Sequence, residues 1–338
     1  MATVRDKYHP SDRYGVKGSV PYRIIRGRVR GQSFFRFTED VIARLRQLGR
    51  TRTSETYASA VNSFLRFLDN RATARDDPDY SSGELFIDDL DSEMMQAYEA
   101  YLKETGVCPN SSSFYMRNLR ALYNRAVEEN LTVQRFPFRH VYTGVERTTK
   151  RAIPLEAMRR IKEMDLSGRS VLCFARDMFL FSFYSRGMSF VDMAYLRKGN
   201  LKGGIISYRR HKTGRKLVIR LEKCMQGIIE RYETRDSDYL LPIIKPGRGV
   251  DERKQYLRME HNVNRALRII GSRLGLSVPL TMYVARHSWA SIAHSKNIPI
   301  SVICEGMGHD SELTTRIYLA SFDNVAVDDA NSLIINSL

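Results

Sequence analysis

The sequence contains few of the residues that build metal sites or disulfides. Its four cysteines stand far apart in 338 residues, and no two of them form a CxxC pair. Because zinc sites are usually assembled from closely spaced cysteines and histidines, no structural zinc site is expected. All four lie in or beside apolar sequence, which predicts reduced and mostly buried thiols in a cytoplasmic protein.

Long apolar segments are also lacking. No stretch approaches the ~20 consecutive apolar residues that a membrane-spanning helix requires. Near the first residue, Arg5, Asp6 and Lys7 interrupt the sequence where a signal peptide would be apolar. We therefore expect a soluble cytoplasmic protein that has no membrane partner.

Acidic residues are scarce relative to basic ones. The chain has 54 Lys and Arg against 38 Asp and Glu, a formal net charge of +16. Such an excess favours a polyanionic partner, foremost a nucleic acid, although solubility alone is the simpler alternative. Residues 1–30 hold eight basic and two acidic side chains, whereas residues 71–104 hold three basic and ten acidic. The acidic stretch is therefore expected to face away from a nucleic acid.

Length and periodicity predict a mainly α-helical protein with two domains and one small antiparallel sheet. The chain is longer than the roughly 100–200 residues of an ordinary single core, and 43% of its residues are hydrophobic. Apolar residues at helical spacing predict four helices in the first half. These cover 37–48, 51–68, a segment capped by Asp91 and ended by Gly106, and a segment that starts after Ser111.

The second half has a mixed pattern. After a polar, basic segment at 143–153, Pro154 suits the first turn of a helix over 155–164. Further helices are predicted over 171–184, after Ser189, and over 224–232, 256–274, 281–295, 301–307 and 311–319. Strands are predicted over 204–210 and 217–221, joined by a glycine-containing hairpin turn. In the first 32 residues, strands are predicted over 3–8 and 20–29, and the polar segment 69–83 is predicted to be a loop.

An arginine, a histidine and a tyrosine follow one another near the end of the chain. Arg286 could hold two oxygens of a phosphate with its planar guanidinium, and His309 could donate to a third. Tyr318 lies nine positions after His309, with a helix-favouring segment between them. A tyrosine hydroxyl is a poor nucleophile at neutral pH, so an attack on a phosphodiester needs such a cluster of donors.

These segments resemble the tyrosine recombinases, also called the phage integrase family. The resemblance rests on order and spacing, and extends from about residue 37 to about residue 331. The sequences that carry it are Ala285-Arg286-His287-Ser288, Gly306-Met307-Gly308-His309, Thr314-Thr315 and Tyr318. It implies an arm at 1–32, a helical, SAM-like core-binding domain at 33–142, a linker at 143–153 and a mixed α/β catalytic domain at 154–338.

The resemblance also implies a role for each of these residues. Tyr318 would be the nucleophile, Arg286 would bind the phosphate and His309 would donate to it. Lys212, at the tip of the predicted hairpin, would protonate the departing 5′ oxygen. Neither ATP nor a metal or other cofactor is needed, since the phosphotyrosyl bond conserves the energy of the phosphodiester.

The chain departs from the family pattern at two positions. Ser189 stands where the family has its first catalytic arginine, as in a subset of recombinases from mobile elements and DNA invertases. Arg186 would replace that arginine if 186–189 is helical, and Arg210 is the second candidate because it would share a strand face with Lys212. Asp192 is expected to orient an arginine. Tyr283 stands where the family usually has histidine or lysine, and it would either donate one hydrogen bond to the phosphate or serve only packing.

Contacts to DNA are expected outside the chemical centre too. His287 would be either a further donor or a structural histidine, and the linker would either bind phosphates or be merely solvated. The expected DNA-binding residues are Arg52, Thr53, Arg117, Lys150, Arg151, Arg209 and His287. Residues 322–338 would dock on a neighbouring subunit or cap an apolar patch within their own chain.

The function implied is site-specific DNA recombination, by integration, excision or inversion, through a 3′-phosphotyrosyl intermediate. Implied partners are double-stranded DNA, three further copies of the chain in a homo-tetramer on DNA, and an accessory DNA-bending protein. The free protein would be a monomer or a weak oligomer. Two alternatives stay open at this point. Ser189 and Tyr283 would suit a catalytically inactive DNA-binding regulator, and similar chemistry is used by a type IB topoisomerase.

Overall fold

The computed structural model describes residues 23–25, 28–75, 85–146, 151–232, 234–247 and 249–316, together with 319, 331–332, 334–335 and 337. The chain divides into two compact units, Met1–Arg147 (unit 1) and Thr148–Leu338 (unit 2). Both consist mainly of helices, and unit 2 also contains a small antiparallel sheet, so the predicted fold class is confirmed. The domain boundaries expected at residues 142 and 154 stay a prediction.

The described part of unit 1 contains the four predicted α-helices. They are α1 (Phe34–Gln47), α2 (Thr51–Arg75), α3 (Ser92–Glu104) and α4 (Pro109–Glu128). Their apolar faces bury large side chains such as Phe64 and Tyr98. The Tyr98 hydroxyl donates to Ser63 Oγ over 2.8 Å, which satisfies a polar atom inside this core. Asp91 caps α3 as predicted, by accepting from the Met94 amide over 2.7 Å.

Two helix ends in unit 1 differ from the prediction. Helix α1 begins three residues early because Phe34 and Phe35 are both buried in the core. Helix α2 continues to Arg75, so the loop predicted over 69–83 is helical in its first part. Residues 70–75 contain no glycine or proline and include alanines and arginines, which favour helix even where the composition is polar. Residues 76–84 lie outside the described part of the chain.

The basic N-terminal segment contains a short hairpin. Strands β1 (Arg23–Ile25) and β2 (Arg28–Arg30) pair antiparallel, with Arg23 opposite Arg30. The single strand predicted over 20–29 is therefore wrong. Residues 26–27, between the two strands, lie outside the described part of the chain. The strand predicted over 3–8 lies outside the described residues.

The core of unit 2 lies mainly between its longer helices. Helix α6 packs against both α9 and α10, and buries Phe179, Phe181, Leu267 and Val284 among them. The helices of this unit are α5 (Leu155–Glu163), α6 (Ser170–Tyr184), α7 (Phe190–Ala194), α8 (Lys223–Arg231), α9 (Glu252–Arg273), α10 (Met282–Ser295), α11 (Ile300–Met307) and α12 (Glu312–Arg316).

The sheet of unit 2 has three described strands in the order β3-β4-β5. They are β3 (Leu201–Lys202), β4 (Ile205–Arg209) and β5 (Lys216–Arg220). Ile206 and Tyr208 of β4 and Leu217 and Ile219 of β5 point into the core. Strand β3 was not predicted, because two residues have no periodicity of their own and form a strand only by pairing with β4.

The expectation of mostly buried cysteines is wrong. Cys304 is buried and Cys173 is half-buried, but Cys108 and Cys224 are exposed. Both exposed cysteines lie at helix starts, Cys108 as the residue before α4 and Cys224 in the first turn of α8. Apolar neighbours in sequence therefore do not ensure that a thiol is buried, because some side chains at the start of a helix point to solvent.

Candidate active site

Arg286 lies on α10 and is held by hydrogen bonds to other described residues of unit 2. The guanidinium donates from Nη1 to the Gly187 carbonyl over 2.6 Å and from Nη2 to the Met307 carbonyl over 2.7 Å. Nη2 also lies 2.9 Å from Nε2 of His309. The residue is 5% exposed. Two of the predicted residues, 23 positions apart in sequence, are thus in direct contact.

Gly187 is shaped for this arginine. Its φ of +74° is a left-handed conformation that favours glycine. A Cβ added there would lie 2.8 Å from the Cα of Arg286, closer than real contacts allow. The turn after α6 therefore approaches the backbone of α10 closely enough to bind the guanidinium through its carbonyl.

His309 follows a left-handed residue that ends α11. Gly308 has φ +63°, which turns the chain so that the His309 amide donates back to the Cys304 carbonyl over 3.0 Å. The imidazole is buried, with Nδ1 2.9 Å from Oγ1 of Thr315 on α12. A guanidinium has donors only, so Nε2 must present its lone pair to Arg286. The proton is then on Nδ1, and it is donated to Thr315.

The electrostatic surroundings keep this imidazole neutral. Burial, followed by nearby positive charges, lowers the pKa of His309 to about 3. The charges that contribute are Arg286, Arg210, Lys212 and Arg215. Both the pKa and the hydrogen bonds therefore place a neutral histidine inside a cluster of cations, where an anion such as a phosphate would be attracted.

Arg210 is a second buried arginine beside the same turn. It directly follows β4, and its Nη1 donates to the Gly308 carbonyl over 2.6 Å. Its Nε lies 4.0 Å from Oδ2 of Asp192, which is itself 5% exposed. Asp192 therefore lies beside Arg210, and the expectation that it orients an arginine stays a prediction. A Cβ on Gly308 would lie 3.0 Å from the Arg210 side chain, so glycine permits the approach.

Ser189 and Arg186 occupy a turn and not a helix. Helix α6 ends at Tyr184, Arg186 has φ +61°, and Ser189 is the capping residue before α7. The prediction that 186–189 is helical, on which the candidacy of Arg186 depended, is therefore wrong. Arg186 and Gly187 both have left-handed backbone conformations, which reverse the direction of the chain. The Ser189 hydroxyl donates to Asp192 Oδ2 over 2.6 Å. Arg186 is half-buried, with its Cδ 3.6 Å from where a Cβ on Gly306 would lie.

Lys212 is exposed in the turn between β4 and β5, as predicted for the hairpin tip. The shared strand face expected for it and Arg210 is wrong, since neither lies in a strand and Arg210 is buried. Arg215 anchors this turn by donating from Nη1 to the His309 carbonyl over 2.5 Å and by pairing with Glu305. The lysine is consequently carried on a segment that is tied to the His309 backbone.

Tyr283 and His287 form an aromatic pair on α10. Their ring centroids are 4.6 Å apart and the rings are nearly perpendicular, at 83°. His287 is buried, whereas Tyr283 is 48% exposed. The Tyr283 ring packs edge-to-face against His287, and its exposure leaves the side chain accessible to an incoming group. Both a packing role and a hydrogen bond to a phosphate therefore stay open for Tyr283.

Two predicted residues cannot be placed. Tyr318 and Lys150 lie outside the described residues. The described chain reaches Arg316 at the end of α12, and Leu319 is buried beside Ile303 and Met307.

The remaining expected DNA-binding residues are at the surface or near it. Arg52 and Thr53 are exposed in the first turn of α2, and Arg52 lies 3.8 Å from Glu55. Arg117 on α4 is half-buried and donates to the Gly144 carbonyl over 3.3 Å. In unit 2, Arg151 and Arg209 are exposed, and Arg209 donates to the Gly214 carbonyl.

A basic stripe on α9 was not predicted from the sequence. Its members are Lys254, Arg258, His261, Arg265 and Arg268. They alternate at spacings of four and three residues, which places them along one face of the helix, and all five are exposed. That spacing is visible in the sequence, but the helix was predicted from its apolar residues alone. Thr315 was also missed as a contact of His309, and no local signal could have shown it.

The described ranges contain neither a membrane span nor a metal-binding cluster. No helix there is both long and apolar enough to cross a membrane. Nor does that part of the chain contain a group of three or more His, Cys, Asp or Glu side chains able to hold a metal ion.

Solved structures with the same fold share little sequence with this chain. A lambda integrase dimer bound to a COC′ core site has a TM-score of 0.62 at 15% identity, over 84% of this chain and 76% of that one. The XerH site-specific recombinase bound to palindromic difH has a TM-score of 0.62 at 16% identity, over 87% and 83%. The Tn1549 transposon integrase in complex with a circular intermediate DNA has a TM-score of 0.55 at 14% identity, over 89% and 99%.

Sequence comparison with curated proteins finds no significant match. Family profiles do match, and they match both halves of the chain. Residues 33–141 match the phage integrase SAM-like domain, and residues 172–324 match the phage integrase family domain. Carrying both domains in this order, the chain belongs to the phage integrase, or tyrosine recombinase, family.

Proposed function

We propose that this protein is a site-specific DNA recombinase of the tyrosine class. The observation that carries the proposal is the convergence of Arg286, His309 and Arg210 on the turn at Gly308, with Lys212 exposed on the adjoining hairpin. Such a preformed cluster of positive charge suits the extra negative charge of a phosphoryl transition state. Double-stranded DNA is the proposed substrate, and two structural neighbours, a lambda integrase and the Tn1549 transposon integrase, are structures with bound DNA.

The proposed step exchanges one phosphodiester for another. The Tyr318 hydroxyl gives its proton to solvent and attacks the scissile phosphorus, so that a bond forms between the tyrosine oxygen and the phosphorus on the 3′ side. The bond from phosphorus to the 5′ oxygen breaks, and Lys212 supplies the proton to that oxygen. A 5′ hydroxyl of the partner duplex then reverses the reaction and releases the tyrosine. Tyr283 and His287 are proposed to support the phosphate from the edge of the site.

Arg210 is proposed to replace the missing first arginine. It is buried, it lies 4.0 Å from Asp192, and it binds the carbonyl of the residue before His309. Arg186 lies in a left-handed turn and is only half-buried. The burial of Arg210 raises the strength of its field at the site, because screening by water is weaker there. Membership of the serine-bearing subset from mobile elements and DNA invertases is part of the same proposal.

DNA binding is proposed to use both units. Unit 2 contributes the α9 stripe, Lys150, Arg151 and Arg209. Unit 1 contributes Arg52, Thr53 and Arg117. Most of the affinity would come from phosphate contacts, and site choice from contacts to base edges. One structural neighbour is a lambda integrase tetramer bound to a Holliday junction. By analogy, four copies of this chain are proposed to act together on DNA in the cytoplasm.

A covalent adduct tests the proposed function. The binding site is first selected from random duplex DNA with the Tyr318→Phe variant, which binds without cutting. The wild-type protein is then incubated with a set of duplexes that carry one nick at successive positions along the selected site. A nick beside the scissile phosphate lets the short 5′-hydroxyl fragment diffuse away, which traps the phosphotyrosyl bond.

The outcomes separate the three functions. A protein–DNA adduct that forms with wild type and not with Tyr318→Phe supports the recombinase. Specific binding without any adduct supports the inactive regulator. Relaxation of supercoiled plasmid that lacks the selected site would support a type IB topoisomerase.

A further inference from the structure

Thr315 is fully buried on α12, three positions before Tyr318 in sequence. Its Oγ1 lies 2.9 Å from Nδ1 of His309. The opposite nitrogen of that ring lies 2.9 Å from Nη2 of Arg286. A continuous chain of hydrogen bonds therefore runs from the phosphate-binding arginine through the histidine to the helix that precedes the nucleophile.

The direction of these hydrogen bonds conflicts with the proposed role of His309. Because Arg286 only donates, Nε2 of His309 acts as an acceptor, and the single proton of the neutral ring is on Nδ1. Donation from Nε2 to a phosphate oxygen requires the opposite tautomer. The free site is therefore not yet in the state that would bind the phosphate through this histidine.

A hydroxyl is the side-chain group best suited to support both states. It can accept from Nδ1–H in one tautomer and donate to bare Nδ1 in the other, simply by rotating its own hydrogen. A carboxylate could only accept. The change itself moves one proton from Nδ1 to solvent and one from solvent to Nε2, so the net charge of the ring stays the same.

We propose that Thr315 is a positioning residue that holds His309 in place through a change of tautomer when the scissile phosphate displaces it from Arg286. In the free protein, Thr315 accepts from the ring. In the DNA complex, it donates to the ring while Nε2–H donates to the phosphate. This inference rests on the proposed function, since it takes the ligand of the site to be a DNA phosphate.

Three variants separate this role from mere packing. Thr315→Val keeps the shape of the side chain and removes the hydroxyl, Thr315→Ser keeps the hydroxyl, and Thr314→Val is the matched control on the exposed face of α12. Adduct formation on the nicked substrate is expected to slow by about 10- to 100-fold in Thr315→Val, because the buried Nδ1 of His309 loses its hydrogen-bond partner. Thr315→Ser and Thr314→Val are expected to stay within about threefold of wild type, and all three to bind the selected DNA equally.

A double-mutant cycle tests whether Thr315 acts through His309. In a His309→Asn background, Thr315→Val is expected to cause no further loss, because the group it positions is already absent. An equal loss in both backgrounds would overturn the proposal and leave a purely structural role. Wild-type rates in Thr315→Val would overturn it as well.

Nitrogen NMR of the histidine ring tests the tautomers directly and does not depend on catalysis. In protein labelled with ¹⁵N-histidine, the His309 signals are assigned by their loss in His309→Asn. The proton is expected on Nδ1 in the free protein and on Nε2 in the complex of Tyr318→Phe with the selected DNA. A proton on Nε2 in the free protein, or on Nδ1 in both states, contradicts the inference. If the wild-type protein formed no adduct, the proposed function would fail while the free-state measurement still decided the tautomer.

Discussion

Nη1 of Arg210 donates to the carbonyl of Gly308 over 2.6 Å, across 98 positions of sequence. This hydrogen bond ties the end of β4 to the left-handed residue that directs His309 into the site. The arginine thereby contributes both a positive charge and the support of a backbone turn. Arg286, which lies on α10, donates to the neighbouring carbonyl, that of Met307. The two arginines therefore bind consecutive carbonyls, those of Met307 and Gly308, at the end of α11.

The first prediction concerns the choice between Arg210 and Arg186. Arg210→Gln is expected to slow adduct formation by about 100- to 1,000-fold, the usual cost of removing a donor that stabilises a transition state. Arg186→Gln is expected to stay within roughly tenfold of wild type, because this side chain is half-buried in a turn and is not bound to the Gly308 carbonyl. Arg210→Lys, which keeps the charge, should recover part of the loss.

Thermal unfolding of each variant provides the control. The contradicting outcome is an Arg210→Gln variant that cleaves DNA at the wild-type rate beside a folded Arg186→Gln variant that does not cleave. Arg186 would then be the replacement for the first arginine.

The second prediction is a pH dependence of stability due to His309. Its pKa falls from an ordinary value near 6.5 to about 3 in the folded protein. Between these values the unfolded chain binds a proton that the folded chain does not, so stability is lost as pH falls from about 6.5 towards 3. Above pH 6.5 both states are neutral and this contribution is fully present. His309→Asn, which cannot titrate, is expected to show a smaller fall in melting temperature between about pH 7.5 and about pH 4.5 than wild type.

His140→Asn, a change at an exposed histidine of unit 1, is the comparison for this measurement. A fall in melting temperature as steep in His309→Asn as in wild type would show that the histidine is not held neutral.

The third prediction concerns Lys212 as the proton donor. Lys212→Ala is expected to slow cleavage by about 100-fold or more, within the range for loss of a general acid. A substrate with sulfur in place of the bridging 5′ oxygen needs no proton on departure, since a thiolate is a far better leaving group. On that substrate, Lys212→Ala and wild type are expected to cleave at similar rates. Lys216→Ala, which removes a second exposed lysine near the hairpin turn, serves as the control.

An equal defect of Lys212→Ala on both substrates would assign this lysine to DNA binding instead of proton transfer.

The fourth prediction concerns the basic stripe of α9. The double change Arg265→Gln and Arg268→Gln is expected to make the salt dependence of DNA binding shallower. The negative slope of the log of the association constant against log salt concentration should decrease in magnitude by about 2, close to one for each phosphate that the variant no longer neutralises. Affinity should fall on specific and random DNA alike. Lys103→Gln, in the acidic stretch 71–104 that is expected to face away from DNA, should leave the slope unchanged. A slope unaltered by the double change would remove α9 from the DNA-binding surface.

Local patterns in the sequence predicted most of the helices and the hairpin. Helix α10 and helix α11 each show apolar periodicity, and Asp91 has the side chain and position of a helix cap. Strand β3 and the last turns of α2 were not predicted, because one depends on pairing with β4 and the other has a polar composition that is common to loops and exposed helices. The exposed thiols of Cys108 and Cys224 were misjudged for the same reason, since composition does not show which way a helix faces.

The sequence by itself determined which chemical groups could act, because Arg286, His309 and Tyr318 occur in the family's order and spacing. It also determined the charge that attracts DNA. Only the tertiary structure decided that Arg210 and not a helical Arg186 reaches the His309 turn, and that His309 is neutral between Arg286 and Thr315. The physical reason is that spacing within a helix is set by local geometry, whereas a contact between distant segments depends on how their buried faces pack.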